Sequence, residues 1–237
     1  MTTADFWDRI AERYAASPVR DNAAYDRTIE RTLAHLPAGA NVVELGCGTG
    51  TTALRLAPSL GKVLATDISA EMIRIAEGRR AEAETSAVNV DFAVRDVEAA
   101  LRDVQRPDAV LAFNLLHLLP DLSRDLSRIA ASLPPGGHFI SKSVCLADAG
   151  PLMRLALMVA LPLMRLVGRA PRVAFLTRQA LEDAVAEAGF EIIETADLPA
   201  SPPNRFIVAR RRLADGHERS GIDGPCDPRH TTLHLLP

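Results

Sequence analysis

Short runs rich in β-branched residues recur along the chain: NVVEL (41–45), KVLAT (62–66), VNVDFAV (88–94), DAVLAF (108–113) and GHFISKS (137–143). Between them the apolar spacing changes to a helical period, as at Leu122, Leu126, Ile129 and Leu133. Asp121 stands at the cap position of that helix, and Pro134-Pro135-Gly136-Gly137 ends it. A further helix is predicted from Thr177 through Leu181, Val185 and Ala188 to Gly189. It is followed by strand-like FEIIETA (190–196) and RFIVARR (205–211), an antiparallel hairpin around SPPN. Strands alternating with helices predict βαβ units, hence a doubly wound α/β sheet that is mostly parallel, with helices on both faces.

Three segments depart from this alternation. The only Trp and both Tyr (Trp7, Tyr14, Tyr25) fall in the first 25 residues, with Phe6, Ile10 and Tyr14 spaced four apart on one helical face. Residues 151–168, PLMRLALMVALPLMRLVG, are almost wholly apolar, broken only by Arg154, Arg165 and Pro162. Residues 213–237 lose periodicity and gather Gly, Pro and His, which predicts a flexible tail. His217, Cys226, His230 and His234 lie there without a frame to hold a metal, so no metal site is expected.

Composition narrows the partners. A length of 237 residues suits one α/β domain, and 48% hydrophobic with 24% charged residues is an ordinary globular mix. The net charge of -3, with basic residues scattered, leaves no footprint for a nucleic-acid backbone. Cys47, Cys145 and Cys226 form neither a disulfide framework nor a Cys-x-x-Cys pair. The opening MTTADFWDRIAERYA lacks a signal-like apolar run. A cytoplasmic protein is expected.

The most informative stretch is Val42-Val43-Glu44-Leu45-Gly46-Cys47-Gly48-Thr49-Gly50, a strand running into a glycine-rich turn and then a helix from Thr51. Glycines at alternate positions let the main chain turn sharply and approach a ligand where a Cβ would block it. In the dinucleotide fingerprint the third glycine would stand at position 51. Thr51 occupies it, and no basic residue lies nearby in the sequence to answer a phosphate. This weighs against a nicotinamide-dependent oxidoreductase and favours a nucleoside cofactor without a phosphate. Asp67, 21 residues beyond Gly46, ends the second strand where an acid accepts from ribose hydroxyls. Asp96 follows the third strand, placed to take an adenine amino proton, with the Val97 amide addressing a ring nitrogen.

Together ELGCGTG (44–50), TDIS (66–69), RDVE (95–98), DAVLAFNLLHLL (108–119) and LPPGGHFI (133–140) resemble the class I S-adenosylmethionine-dependent methyltransferases of the bacterial small-molecule kind. The resemblance covers about residues 5–211 and groups the chain with the ubiquinone and menaquinone methyltransferases. It implies a Rossmann-like seven-stranded sheet with S-adenosyl-L-methionine at the carboxyl ends of strands one to four and S-adenosyl-L-homocysteine as product. Carried over residue by residue, it implies cofactor contacts at Tyr14, Glu44, Gly46, Cys47, Gly48, Gly50, Asp67, Ile68, Met72, Asp96, Val97, Asn114 and Leu115. It also implies an N-terminal helical cap over the cofactor (1–30), a methyltransferase domain (31–212) and an acceptor-side insertion (151–168).

Methyl transfer depends on alignment more than on a strong base. His117, beyond the fourth strand, is the candidate proton acceptor, with a structural histidine as the alternative. Neither Asn-Pro-Pro-Tyr nor an acidic metal triplet occurs, which argues against planar amide or nucleobase acceptors and against a metal-dependent catechol-type enzyme. The apolar segment 151–168 is too short for a membrane span and reads as a lid, a homodimer contact or a membrane-touching surface. An acceptor with an apolar body is expected, with Lys142, Ser143 and Cys145 as further residues facing it. A protein that binds the cofactor without turnover remains the main alternative.

Overall fold

The computed structural model describes residues 2–213 except 20, 84–87, 103, 105, 201 and 202. The expected tail, with His217, Cys226, His230 and His234, lies outside the described residues.

Seven strands form one sheet: β1 Val42–Leu45, β2 Val63–Asp67, β3 Val90–Val94, β4 Ala109–Phe113, β5 His138–Val144, β6 Phe190–Asp197 and β7 Asn204–Arg211. Their order is β3-β2-β1-β4-β5-β7-β6. The five strands from β3 to β5 are parallel, and β7 runs antiparallel to both β5 and β6. Both the doubly wound sheet and the terminal antiparallel hairpin expected from the sequence are therefore present. Chain order reverses between β1 and β4, the switch point where ligands of open α/β sheets bind.

Eight helices are described: α1 Thr3–Ala15, α2 Asn22–Ala34, α3 Thr51–Leu56, α4 Ala70–Glu82, α5 Val97–Arg102, α6 Leu122–Ser132, α7 Pro151–Leu166 and α8 Arg178–Glu187. Helices α2, α3 and α4 bury one sheet face, where Ile29, Leu56 and Ile73 meet Val42, Leu111 and Ile140. Helices α5, α6 and α8 bury the other, where Leu101, Leu126, Ile129 and Leu181 meet Val43, Val110 and Phe139. With both faces covered, β1 and β4 are buried at every position, and both read as apolar runs broken only by Glu44 of β1.

Helix ends follow the sequence signals. Asp121 accepts from the Arg124 amide (3.0 Å) and Thr177 from the Ala180 amide (3.0 Å), each satisfying an orphan donor of the first turn. Gly136 (φ +81°) and Gly189 (φ +96°) turn the chain after α6 and α8 in a conformation that L side chains resist. Phe139 of β5 and Phe190 of β6, both fully buried, stack 5.2 Å apart and knit the hairpin to the sheet. Helix α7 alone buries no residue.

Candidate functional site

A cavity of about 310 Å³ opens at the carboxyl ends of β1, β2, β3 and β4. Its floor is the glycine turn. Gly46 and Gly48 hold φ of +66° and +54°, and a Cβ on Gly46 would stand 2.9 Å from Leu115 Cδ1. Their bare backbone is thus left facing the cavity. Gly50 serves differently: a Cβ there would meet Phe92 at 2.6 Å and Ala76 at 2.9 Å, so it lets the turn pack against β3 and α4. Gly50 does not line the cavity, and neither do Glu44 and Cys47.

Asp67 ends β2 at the cavity wall. Its Oδ2 accepts from the Gly48 amide (2.9 Å) and its Oδ1 from the Ser69 amide (2.9 Å). Two amides leave about half of a carboxylate's lone pairs for a diol. Burial raises its pKa above the ordinary carboxylate value, against the pull of those amides. Asp96 Oδ1 caps α5 through the Ala99 amide (2.8 Å), and Asp96, Val97, Ile68 and Met72 all border the cavity. At the far wall Asn114 takes a left-handed φ of +56°, held by its amide donating to the Lys142 carbonyl (2.7 Å), and Leu115 follows it.

Helix α1 closes one side. Tyr14 lies over the glycine turn, its Cε1 3.7 Å from where a Gly48 Cβ would be, and Trp7 meets it edge-on with centroids 6.3 Å apart. Both rings border the cavity, whereas Phe6 is buried beneath the helix. The face of α1 turned to the site therefore carries Thr3, Trp7 and Tyr14, not the Phe6–Ile10–Tyr14 row expected. Asp8 fixes the helix, accepting from Ser69 Oγ (2.6 Å) and the Glu71 amide (3.1 Å).

Other expectations are corrected. A basic group does stand by the glycine turn: Arg79 of α4 donates to Thr49 Oγ1 (2.6 Å), Thr51 Oγ1 (2.7 Å) and the Ala15 carbonyl (3.0 Å). It ties the turn to the end of α1, and its contacts are internal. His117 does not line the cavity. It lies in a turn (116–118) with Nδ1 buried and unpaired among the described residues, its carbonyl accepting from Ala174, and burial lowers its pKa to about 4. A proton acceptor must reach the acceptor atom, and this ring is turned inward. Lys142, Ser143 and Cys145 are likewise off the wall. Lys142 is buried under α2, where Nζ donates to Thr28 Oγ1 (3.1 Å). No residue of 151–168 borders the cavity.

Sequence reasoning missed part of the wall: Phe113, Leu118, Leu119 and Pro120 on the apolar side, and Arg95, Glu98, Arg124, Asp125 and Arg128 at the rim. The spacing of Arg124 and Arg128 on α6 was a usable signal, since i and i+4 share a helix face. The buried Asp125 holds that pair, with Arg128 at 3.3 Å and Arg124 at 3.5 Å.

Beneath the turn, Glu44 is the most perturbed acid. It is almost fully buried, with Oε2 unpaired among the described residues, and burial together with the nearby Asp67 pushes its pKa up to about 8.

Comparisons with known proteins speak to the family and the fold. A family model described as "Methyltransferase domain" matches residues 16–195. The ubiquinone biosynthesis O-methyltransferase of Coxiella burnetii (strain RSA 493 / Nine Mile phase I) is 30% identical over 106 residues, 45% of this chain and 44% of the relative. The match thus spans less than half of that relative's length. Among solved structures, the [4+2]-cyclase SpnF superposes with a TM-score of 0.65 at 20% identity over 84% of this chain and 86% of that one. Magnesium protoporphyrin IX methyltransferase (ChlM) from Synechocystis PCC 6803 with bound SAM gives 0.60 at 20% identity over 87% and 90%. At such identities the two structures speak for the fold alone.

Proposed function

The chain belongs to the methyltransferase-domain family, with the class I S-adenosylmethionine-dependent fold, and from that premise we propose that it methylates a small acceptor with an apolar body. One observation carries the reading: the bare Gly46 and Gly48 backbone, the Asp67 carboxylate and the Asp96-Val97 pair converge on a single cavity. S-adenosylmethionine supplies an electrophilic methyl on a sulfonium centre. The chain supplies position and dryness. Asp67 holds the ribose hydroxyls with its remaining lone pairs, and Asp96 and the Val97 amide address the adenine edge. Tyr14 and Trp7 exclude water and set aromatic rings beside the cationic end.

Phe113, Leu115, Leu118, Leu119 and Pro120 make an apolar side of the wall, which suits an apolar acceptor. The named activity of the Coxiella relative, an O-methyltransferase of ubiquinone biosynthesis, supports an oxygen acceptor. His117 has no part in this reading, and the transfer rests on alignment. The second reading is a protein that binds the cofactor without turnover, since the cofactor loop and the chemistry are separable.

Calorimetric titration of the full chain with S-adenosylmethionine, S-adenosylhomocysteine and NADH tests the cofactor. Binding of both adenosyl compounds near one-to-one, no NADH binding, and about 100-fold weaker binding by Asp67→Ala is the expected result, since two charged hydrogen bonds are lost. NADH binding without the adenosyl compounds overturns the reading. Product formation with apolar phenols then separates methyl transfer from the second reading.

A further inference from the structure

Helix α7 carries the densest apolar sequence of the chain, yet contributes nothing to either core. Leu157, Ala160 and Leu161 are half-buried along one side. The opposite side presents Leu152, Leu155, Val159, Leu163 and Leu166 at three- and four-residue spacing, a continuous helical stripe. Every one is more than half exposed, and Leu152 and Leu166 reach 84%. At about 25 cal/mol per Å2 of apolar surface, such a stripe left in water is costly, so a surface that covers it is expected.

The charges decide which surface. Between Asp148 and Glu182 every charged residue is an arginine: Arg154, Arg165, Arg169, Arg172 and Arg178. Arg178 is answered by Asp148 (3.0 Å) and Asp197 (2.8 Å). The other four are exposed and make no ion pair among the described residues. This local excess sits on a chain whose net charge is -3. A second copy docked through the same segment would set arginine against arginine with no acid to answer it. No residue of α7 borders the cofactor cavity either. No described helix is long and apolar enough to cross a bilayer.

We propose that α7 and the arginines around it form a docking surface for an anionic phospholipid bilayer. The helix lies in the plane of the interface, with the Leu152–Leu166 stripe among the acyl chains and the arginines at the lipid phosphates. Just beyond the C-terminal end of α7, the Arg9 guanidinium donates to the Gly168 carbonyl. Docking would thereby couple to α1, the helix whose Trp7 and Tyr14 close the cavity. The surface itself does not depend on the identity of the acceptor.

Vesicle co-sedimentation of the full chain tests it, with vesicles of phosphatidylcholine alone and of phosphatidylcholine mixed equally with phosphatidylglycerol. Binding to the mixed vesicles at least about tenfold tighter than to the neutral ones, and weakening as salt is raised, is expected. Arg154→Gln/Arg165→Gln should weaken it about 20-fold, as two charges near the surface are removed. Leu155→Ser/Leu163→Ser should abolish binding to both vesicles while S-adenosylhomocysteine affinity and melting temperature stay at the parent values, which excludes misfolding. Binding that ignores lipid charge, or that survives both double substitutions, overturns the proposal. So does an α7-dependent dimer in sedimentation velocity without vesicle binding.

Discussion

Two ends of the same sheet edge treat apolar and polar residues in opposite ways. At the β1–β4 side the chain buries what is polar: Glu44 lies beneath the glycine turn, Asp67 is held by two amides, and Arg79 is absorbed into hydrogen bonds with Thr49, Thr51 and Ala15. Beyond β5 it exposes what is apolar, leaving a helix of leucines and methionines with no buried member. The contrast teaches that hydropathy alone locates neither the core nor the site. A buried polar group persists where neighbours satisfy it or where its charge is suppressed. An exposed apolar helix persists where something outside the chain covers it.

The largest effect that would sharpen this contrast lies with Glu44. Its native carboxyl keeps its proton up to about pH 8, whereas the unfolded chain releases it near 4.5. Between those values the native state binds more protons at Glu44, so its contribution to stability declines as pH rises through that window, opposed below about pH 6.5 by the buried His117, whose pKa is lowered to about 4. Glu44→Gln should remove the slope and leave the variant more stable than the parent at pH 8.5 by on the order of 3 kcal/mol, read by urea unfolding. A parent whose stability is flat from pH 6.5 to 8, above the range in which His117 opposes it, would show that Glu44 is solvated or paired.

Next is Gly50→Ala. A Cβ would collide with Phe92 and Ala76 at a residue whose φ is +76°, and a loss of about 2–3 kcal/mol is expected by thermal or urea unfolding. At the other end of the comparison, Leu155→Ser/Leu163→Ser should change unfolding stability by less than about 0.5 kcal/mol, because neither side chain is buried. A loss of several kcal/mol there would mean that α7 packs on the domain in solution, and the contrast would disappear.

Much of the fold was legible because β1 to β5 are short, β-branched and bounded by turn residues, and because α6 and α8 carry side-chain caps at Asp121 and Thr177. The glycine turn, Asp67 and Asp96 were legible for another reason: each sits at the end of a strand, and the parallel register brings strand ends together wherever the helices pack. Less was visible in the side chains whose role depends on which way a turn faces. His117 follows β4 as a site residue would, but its turn rotates the ring inward, beneath the chain that returns at Ala174. Lys142 lies within β5 on the face covered by α2, so its amine meets Thr28 and not the cavity. Arg79 is 28 residues from Thr51 and meets it only once α4 has packed beside the turn.

The sequence by itself determined the order of strands and helices, the backbone freedom of Gly46 and Gly48, and the acids at the ends of β2 and β3. These depend on local conformational preference and on spacings within one βαβ unit. Tertiary structure alone decided which face of α1 meets the cavity, that Arg79 is consumed internally, that His117 and Lys142 are buried away from the wall, and that α7 stands clear of both cores. Those outcomes depend on how elements rotate and pack against partners distant in the chain, and helical or strand periodicity states a face without stating what that face will meet.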